Sequence, residues 1–368
     1  MNKMIVANLA YRPLRSVISI VAVAVEVTLI LLIVGLALGI LNDATQRQTG
    51  VGADVLVRPP GSAIFNGFSS APVPMAVAGV LRKQPHVVAV APVVTQVTSG
   101  ANIEIIYGVD LDSFQAVGGP LQYLEGGPFE QPYDMIVDDY YAAANHAHAG
   151  AAVDLFKHQF RIAGIIPHGR GGRRYIPIKT LQEVMGAQNK ASIFYVKLDD
   201  PSSADVVTTQ FKTIPGMADY NIMSMREWLS LMSADKIPGL ATFINVVIGI
   251  AVIIGFIVIF QSMYTAVMER TREIGILKSL GASKFYIVRV ILRETLLLAV
   301  AGIVVGMLFS VAARAGIVHR FPTLRVLPIT WVWGIRATII ALGGAMLGAI
   351  YPAYKAAQKD PIDALAYE

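Results

Sequence analysis

VISIVAVAVEVTLILLIVGLALGIL, residues 17–41, is an unbroken apolar run with a single acidic residue, Glu26, inside it. At about 1.5 Å of rise per residue, roughly 25 residues of helix exceed the ~30 Å hydrocarbon core of a bilayer, so the run reads as a transmembrane helix. Working outward, three further runs lie at about Phe243–Tyr264, Leu296–Ala313 and Ile335–Tyr351. The last two are near the short limit for a span and carry Arg314 and Arg336 close to their outer ends. Between the first and second runs lies a more polar stretch, residues 42–238. Composition agrees with a membrane protein: 55% of residues are hydrophobic and 15% charged, with a mean hydropathy of +0.58. The expected fold is an α-helical membrane protein with four transmembrane helices and an α+β extracytoplasmic domain inserted between helices 1 and 2.

The expected division follows. Residues 1–41 hold a short interfacial helix (Asn2 to Leu14) and the first span, 42–238 the extracytoplasmic domain in two lobes, and 239–368 the other three spans with a connecting segment at 268–284 and a tail. Lys3, Arg12 and Arg15 precede the first run as in a secretion signal, but a signal core is only about 7–15 residues long, so a retained helix is expected. Short loops set the orientation. Arg270, Arg272, Lys278, Lys284, Arg289 and Arg293 lie between the second and third runs, and both ends of the chain add further Lys and Arg. With four spans these share one side, which is expected to be cytoplasmic; Arg314, Arg320 and Arg325 oppose this and are outnumbered. The net charge of +5 is thus no argument for a nucleic-acid partner. There is no cysteine, so disulfides, thiolate nucleophiles and Cys-ligated zinc are excluded.

Within 42–238, Val55–Val57, Val87–Val94, Ile103–Val109, Phe160–Ile166, Arg174–Ile178 and Ile193–Leu198 are short, rich in β-branched residues and read as strands. Met75–Lys83, Asp138–Ala144, Lys179–Met185, Ser203–Thr213 and Met225–Ala234 read as helices, with Ser203 and Ser224 as N-caps. Pro59–Pro74 and Gly118–Pro132 read as long loops. His146 and His148 stand two apart, with His158 and His168 downstream, but a helix or turn there splays such a pair and no carboxylates with ligand spacing accompany it, so no metal site is expected. No Gly-x-Ser-x-Gly elbow is present and no catalytic residue is expected. The basic loop Arg170–Arg174 reads as a solvated hairpin tip.

The segment ERTREIGILKSLGAS, residues 269–283, links two spans. Ile274, Leu277 and Gly281 share a helical face, and Arg270, Arg272, Glu273 and Lys278 are spread around the others. Gly281 suits a helix end and Ser283 the cap of the next helix. Spacing alone leaves two readings open: a helix lying on membrane lipid, or one that presses into a cleft on a partner.

This stretch resembles the permeases of the MacB/FtsX superfamily, the mechanotransmission group of ABC transporters, whose pattern runs Arg-x-Glu-Ile-Gly-Ile-Leu-[Arg/Lys]-[Ala/Ser]-[Leu/Ile]-Gly-Ala. Glu273, Ile274, Gly275, Leu277, Lys278, Gly281 and Ala282 match it, with Arg270 or Arg272 filling the arginine. Pro352-Ala353-x-Lys355-Ala356-Ala357 and Asp360-Pro361-Ile362-x-Ala364-Leu365 resemble the same family's tail, and Gly52-Ala53-Asp54, Val90-Ala91-Pro92 and Phe160–Ile165 its periplasmic module. The resemblance implies a homodimer or pseudo-dimer of four-span subunits, each engaging a cytoplasmic ABC ATPase through Arg270, Arg272, Glu273, Ile274, Gly275, Leu277, Lys278 and Gly281. It also implies a non-catalytic subunit. The chain has no Gly-x-x-x-x-Gly-Lys-[Ser/Thr] loop, so ATP and Mg are expected on a separate ATPase and no cofactor on this chain. Expected work is export or extraction of an amphiphilic substrate, with an adaptor or outer-membrane channel as a further partner. The alternative within the family is a regulator that activates an extracytoplasmic cell-wall hydrolase.

Glu26 stands apart. An acidic residue at mid-span costs about 2.5–3.5 kcal/mol on insertion scales. It either contacts a cationic or metal-bearing substrate inside the membrane, or is a protonated carboxyl hydrogen-bonded to Thr28 or Gln261, with Arg336 a weaker partner.

Overall fold

The computed structural model describes residues 13–61, 72–99, 103–233 and 235–359. Nearly all of the expected interfacial helix, most of the Pro59–Pro74 loop and the Asp360–Leu365 motif lie outside them. The chain divides into two compact units, one of four long helices and one comprising residues 40–238 with 320–325. The first helix, α1 (Pro13–Gly50), gives its residues up to Gly39 to the helical unit and the rest to the other.

In the second unit the chain runs β1 (Val55–Arg58), β2 (Val73–Pro74), α2 (Ala76–Arg82), β3 (Val87–Ser99), β4 (Ile103–Val109), α3 (Leu111–Gly118), β5 (Glu125–Gly126), β6 (Asp134–Asp138), α4 (Asp139–Asn145), β7 (Ala152–Leu155) and β8 (His158–Ile166). It continues through β9 (Arg174–Pro177), α5 (Ile178–Val184), β10 (Lys190–Ala191), β11 (Ile193–Leu198), α6 (Ala204–Thr213), β12 (Asn221–Ser224) and α7 (Met225–Leu231). Ten strands form one mixed sheet in the order β12-β1-β11-β3-β4-β9-β6-β8-β5, with β7 on β8. The sheet is continuous from end to end, because β9 pairs parallel with β4 and antiparallel with β6.

Strand alternation sorts side chains into separate cores. Val55 and Val57 pack with Phe194, Val196, Leu81 and Phe211, under α2 and α6. Leu56 goes to the opposite face with Tyr107, Tyr195, Phe114 and Trp228. Farther along the sheet, Ile106, Val137, Phe160 and Ile176 pack with Leu181 of α5. Ser224 caps α7, accepting from the Glu227 N–H at 3.2 Å. Ser203 does not cap α6. A 3-10 turn, Pro201–Ser203, precedes that helix, and Asp200 caps the turn by accepting from the Ser202 N–H at 2.9 Å.

The basic loop is not solvated, contrary to expectation. Arg173 pairs with Asp43 at 3.0 Å and Asp138 at 3.4 Å. Arg174 pairs with Glu104 at 2.9 Å. Gly171 donates to the Arg47 carbonyl, and Tyr107 lies so close over Gly171 and Gly172 that a Cβ on either would sit 2.8 Å from its ring. The loop's partners come from distant parts of the chain: Arg173 and Arg174 are buried by ion pairing, and Arg170 donates to the Gly119 carbonyl at 3.1 Å. Residues 320–325 join this network: Thr323 accepts from Arg173 at 3.1 Å, and the Arg325 guanidinium lies 4.1 Å from the Tyr140 ring centre.

The helical unit comprises α1, α8 (Leu240–Glu269), α9 (Thr271–Ser279), α10 (Lys284–Arg320) and α11 (Trp331–Gln358). All but α9 are long and apolar enough to cross a membrane. Small residues let the long helices approach closely. A Cβ on Gly306 would meet the Ala24 carbonyl at 2.7 Å, and one on Gly348 the Phe256 carbonyl at 2.9 Å. The buried face of α11 is Ala337, Ala341, Ala345, Ala349, Ala353 and Ala356 with intervening glycines. Interhelical hydrogen bonds add to this: Ser19 to Ser262 at 2.6 Å, and the Thr28 hydroxyl to the Gly306 carbonyl at 3.1 Å.

Candidate functional site

Helix α8 ends at Glu269, where Arg270 leaves the helical region (φ −105°, ψ 17°). The chain bends there into α9. The Thr271 hydroxyl donates back to the Met268 carbonyl at 2.9 Å, tying the first residue of α9 to the last turn of α8. Helix α9 closes at Gly281, whose φ of +92° only glycine adopts at little cost. The Ala282 N–H bonds the Leu277 carbonyl at 3.0 Å and the Gly281 N–H the Lys278 carbonyl at 3.0 Å, the paired bonds of a glycine-terminated helix. Ser283 then caps α10, accepting from the Tyr286 N–H at 3.2 Å.

Charged contacts hold this elbow. Arg270 donates to Glu294 of α10 at 3.2 Å, with both side chains nearly enclosed. Lys278 donates to the carbonyls of Ala357, at 3.0 Å, and Lys359, where the negative end of α11 favours a cation. Between α8, α9 and α10 lies a cavity of about 410 Å³, walled by residues such as Met263, Val267, Ile274, Leu277 and Ile291.

The residues singled out in the sequence separate into two sets. Ile274 and Leu277 pack toward the bundle core, Gly275 is buried, and Arg270 and Lys278 are engaged within the unit. Arg272 and Glu273 are exposed. The exposed apolar side chains are instead Ile276, Leu280 and, after the turn, Phe285. Ile276 and Leu280 stand four apart, one turn along the same stripe of a helix. Glu294 was legible in the pattern Ile287, Ile291, Glu294, Leu298, which places it on the buried stripe of α10.

Glu26 is buried, with its carboxyl against Gly255 of α8: a Cβ there would lie 2.0 Å from Oε2. Among the described residues Oε1 has no hydrogen-bond partner. Neither expected partner meets it, since Thr28 donates to the Ala24 and Gly306 carbonyls and Gln261 is exposed. Arg336 is exposed too, stacked on Trp333 at 4.9 Å.

The histidines do not converge. His146 ends α4 in the left-handed region, His148 lies 3.6 Å from Glu125, His158 stacks on Tyr133, and His168 bonds Asp139 at 3.0 Å. Among the described residues no group of three or more metal-ligating side chains forms. Burial pushes the Asp138 carboxyl up to about 6, against the pull of Arg173 and the Tyr141 N–H.

Comparison with known proteins decides the family. Residues 16–214, more than half of the chain, match the model of the MacB-like periplasmic core domain, and residues 245–361 match the FtsX-like permease C-terminal model. The chain belongs to the MacB/FtsX-like ABC transporter permeases. Similar proteins include the uncharacterized ABC transporter permease YknZ of Bacillus subtilis, 30% identical over 53% of this chain and 49% of that one. A macrolide export ATP-binding/permease protein MacB of Aggregatibacter actinomycetemcomitans is 25% identical over 84% of this chain and 52% of that one. This MacB/FtsX-like chain thus spans about half the length of such relatives. Among solved structures, the periplasmic region of MacB from Actinobacillus actinomycetemcomitans aligns with 49% of this chain and 92% of its own, at 19% identity and a TM-score of 0.38. As a family member, the chain is a membrane permease with four apolar helices and a MacB-type periplasmic module.

Proposed function

We propose that this permease converts ATP hydrolysis on a cytoplasmic ABC ATPase into movement of its extracytoplasmic domain, and that the movement exports or extracts an amphiphilic substrate. The observation that carries the reading is the elbow at Arg270–Ser283: a short helix with Ile276 and Leu280 exposed beside Arg272 and Glu273, backed by a cavity. An exposed apolar pair flanked by charge suits insertion into a cleft on another protein. The cavity leaves α9 room to shift against α8 and α10, while Lys278 ties its far end to α11. Push on α9 then reaches two membrane helices at once. The ATPase binds the nucleotide and Mg; these 368 residues contain no phosphate loop and act as the non-catalytic part. In this reading the permease works as a homodimer or pseudo-dimer in lipid of the bacterial inner membrane. The elbow and both ends of the sequence face the cytoplasm, by the excess of Lys and Arg on that side. An adaptor or outer-membrane channel would receive the substrate.

The test is ATP turnover of the full chain reconstituted with its ATPase. Leu280→Asp is expected to lower coupled turnover at least about tenfold, with folded yield unchanged, because the charge must be desolvated on docking. Unchanged turnover would remove the elbow from the mechanism. Activation of a cell-wall hydrolase by the same complex, with no substrate moved, would favour the regulator.

A further inference from the structure

The sheet unit holds a second cavity, of about 220 Å³, that the permease reading does not use. Ile40, Leu41, Ile105, Ile193 and Trp228 wall it, and Arg58 lines it. Arg58 is 5% exposed. Alternation along β1 puts it there: Val55 and Val57 take one face, so Leu56 and Arg58 take the other. The other deeply buried arginines of this unit have carboxylates, Arg173 with Asp43 and Asp138, and Arg174 with Glu104. Among the described residues Arg58 has no ion pair, and its Nε has no acceptor. The Trp228 Nε1 in the same wall is also buried without an acceptor. Nearby hydroxyls are occupied with one another: Tyr195 donates to Gln48 at 2.9 Å and lies 3.3 Å from Tyr107.

A buried guanidinium without a counter-charge is strongly disfavoured, and an arginine does not readily shed its proton. Its natural remedy is an anion. The walls around it are apolar, and Ile40 and Leu41 end the apolar run of α1, where a membrane helix meets lipid headgroups. We infer that this cavity binds an anionic amphiphile, with its carboxylate or phosphate on Arg58 and the Trp228 N–H, and its hydrocarbon part against Ile40, Leu41, Ile105 and Ile193. Burial lowers the Arg58 pKa, because desolvation disfavours the cation. That the ligand is the transported cargo rests on the permease reading; the binding does not.

The test uses the full chain in phosphatidylcholine nanodiscs, without ATPase. The tryptophans are Trp228, Trp331 and Trp333, so Trp331→Phe with Trp333→Phe leaves Trp228 as the sole reporter. A bromine-labelled undecanoate is expected to quench Trp228 saturably. Decanoate and decyl phosphate should compete, the stronger one identifying the headgroup, and decylamine should not. Arg58→Met should weaken binding at least about tenfold while raising the melting temperature of the empty protein, and Arg58→Lys should retain part of the affinity. Quenching that does not saturate, equal competition by decylamine, or full binding by Arg58→Met would overturn the inference. A fall in melting temperature for Arg58→Met would also overturn it, by making Arg58 a structural strut. Failure of this binding leaves elbow coupling intact, and failure of coupling leaves this binding intact.

Discussion

Buried charge is held differently in the two units. In the sheet unit each pair is reinforced from several sides: Asp134 accepts from Arg161 and also from the N–H groups of Glu130 and Gln131. Arg173 bonds Asp43, Asp138 and the Thr323 carbonyl together. At the elbow of the helical unit, the Arg270–Glu294 pair lies beside a cavity of about 410 Å³. Packing differs in the same sense, with aromatic and β-branched cores in the sheet and glycine–alanine contacts between the long helices. On the proposed reading, a redundantly bonded sheet would pass displacement on as a body. The elbow, by contrast, borders open space, which on the proposed reading is where displacement begins.

The largest expected effect follows from that contrast. Arg270→Ala removes one side of a nearly enclosed ion pair and should cost about 3–5 kcal/mol. Arg161→Ala leaves Asp134 with two backbone donors and should cost about 1–2 kcal/mol. Thermal unfolding of both variants in the same detergent checks this; equal losses would erase the difference between the units. Next comes packing. Gly306→Val drives a side chain into the Ala24 backbone and should cost about 1–3 kcal/mol, whereas Gly79→Ala on α2, with open space around it, should gain about 0.5–1 kcal/mol.

Much of this was legible in the sequence because its signals are local. The apolar runs mark the long helices, and β-branched stretches bounded by Gly or Pro mark β1, β3, β4, β8, β9 and β11. What stayed hidden depends on distant partners. Arg173 and Arg174 look like a solvated tip until Asp43 and Glu104 are brought to them. Strand β6 runs from Asp134 to Asp138, and both flanking acids are buried by pairing, so its apolar centre is too short to read alone. At the elbow, helical periodicity groups Ile274, Leu277 and Gly281, but the helix ends before Gly281, and periodicity does not say which face meets the bundle. Ile276 and Leu280 became visible only once that was settled.

A smaller, pH-dependent effect sharpens the sheet side. Because burial raises Asp138 to about 6 from the ordinary 3.8, the folded state holds more protons than the unfolded one between those values. Stability should therefore fall as pH rises from about 4 to 6, by at most ~1.4 kcal/mol per unit from this group. Asp138→Asn should flatten that limb in melts followed by Trp228 fluorescence; an unchanged slope assigns the titration elsewhere. The smallest effect on stability is expected at Glu26. Glu26→Gln is nearly isosteric beside Gly255 and should change folded yield little while lowering transport-coupled turnover; unchanged turnover would leave Glu26 without a transport role.

The most direct measurement is crosslinking from position 280. The chain has no cysteine, so Leu280→Cys carries its one thiol. In membranes that also contain the ABC ATPase, a thiol-to-amine crosslinker is expected to join the two proteins, and the thiol should label only from the cytoplasmic face. Labelling from outside sealed cells, or a thiol that reacts freely in the presence of the ATPase without ever joining it, would contradict coupling through this elbow.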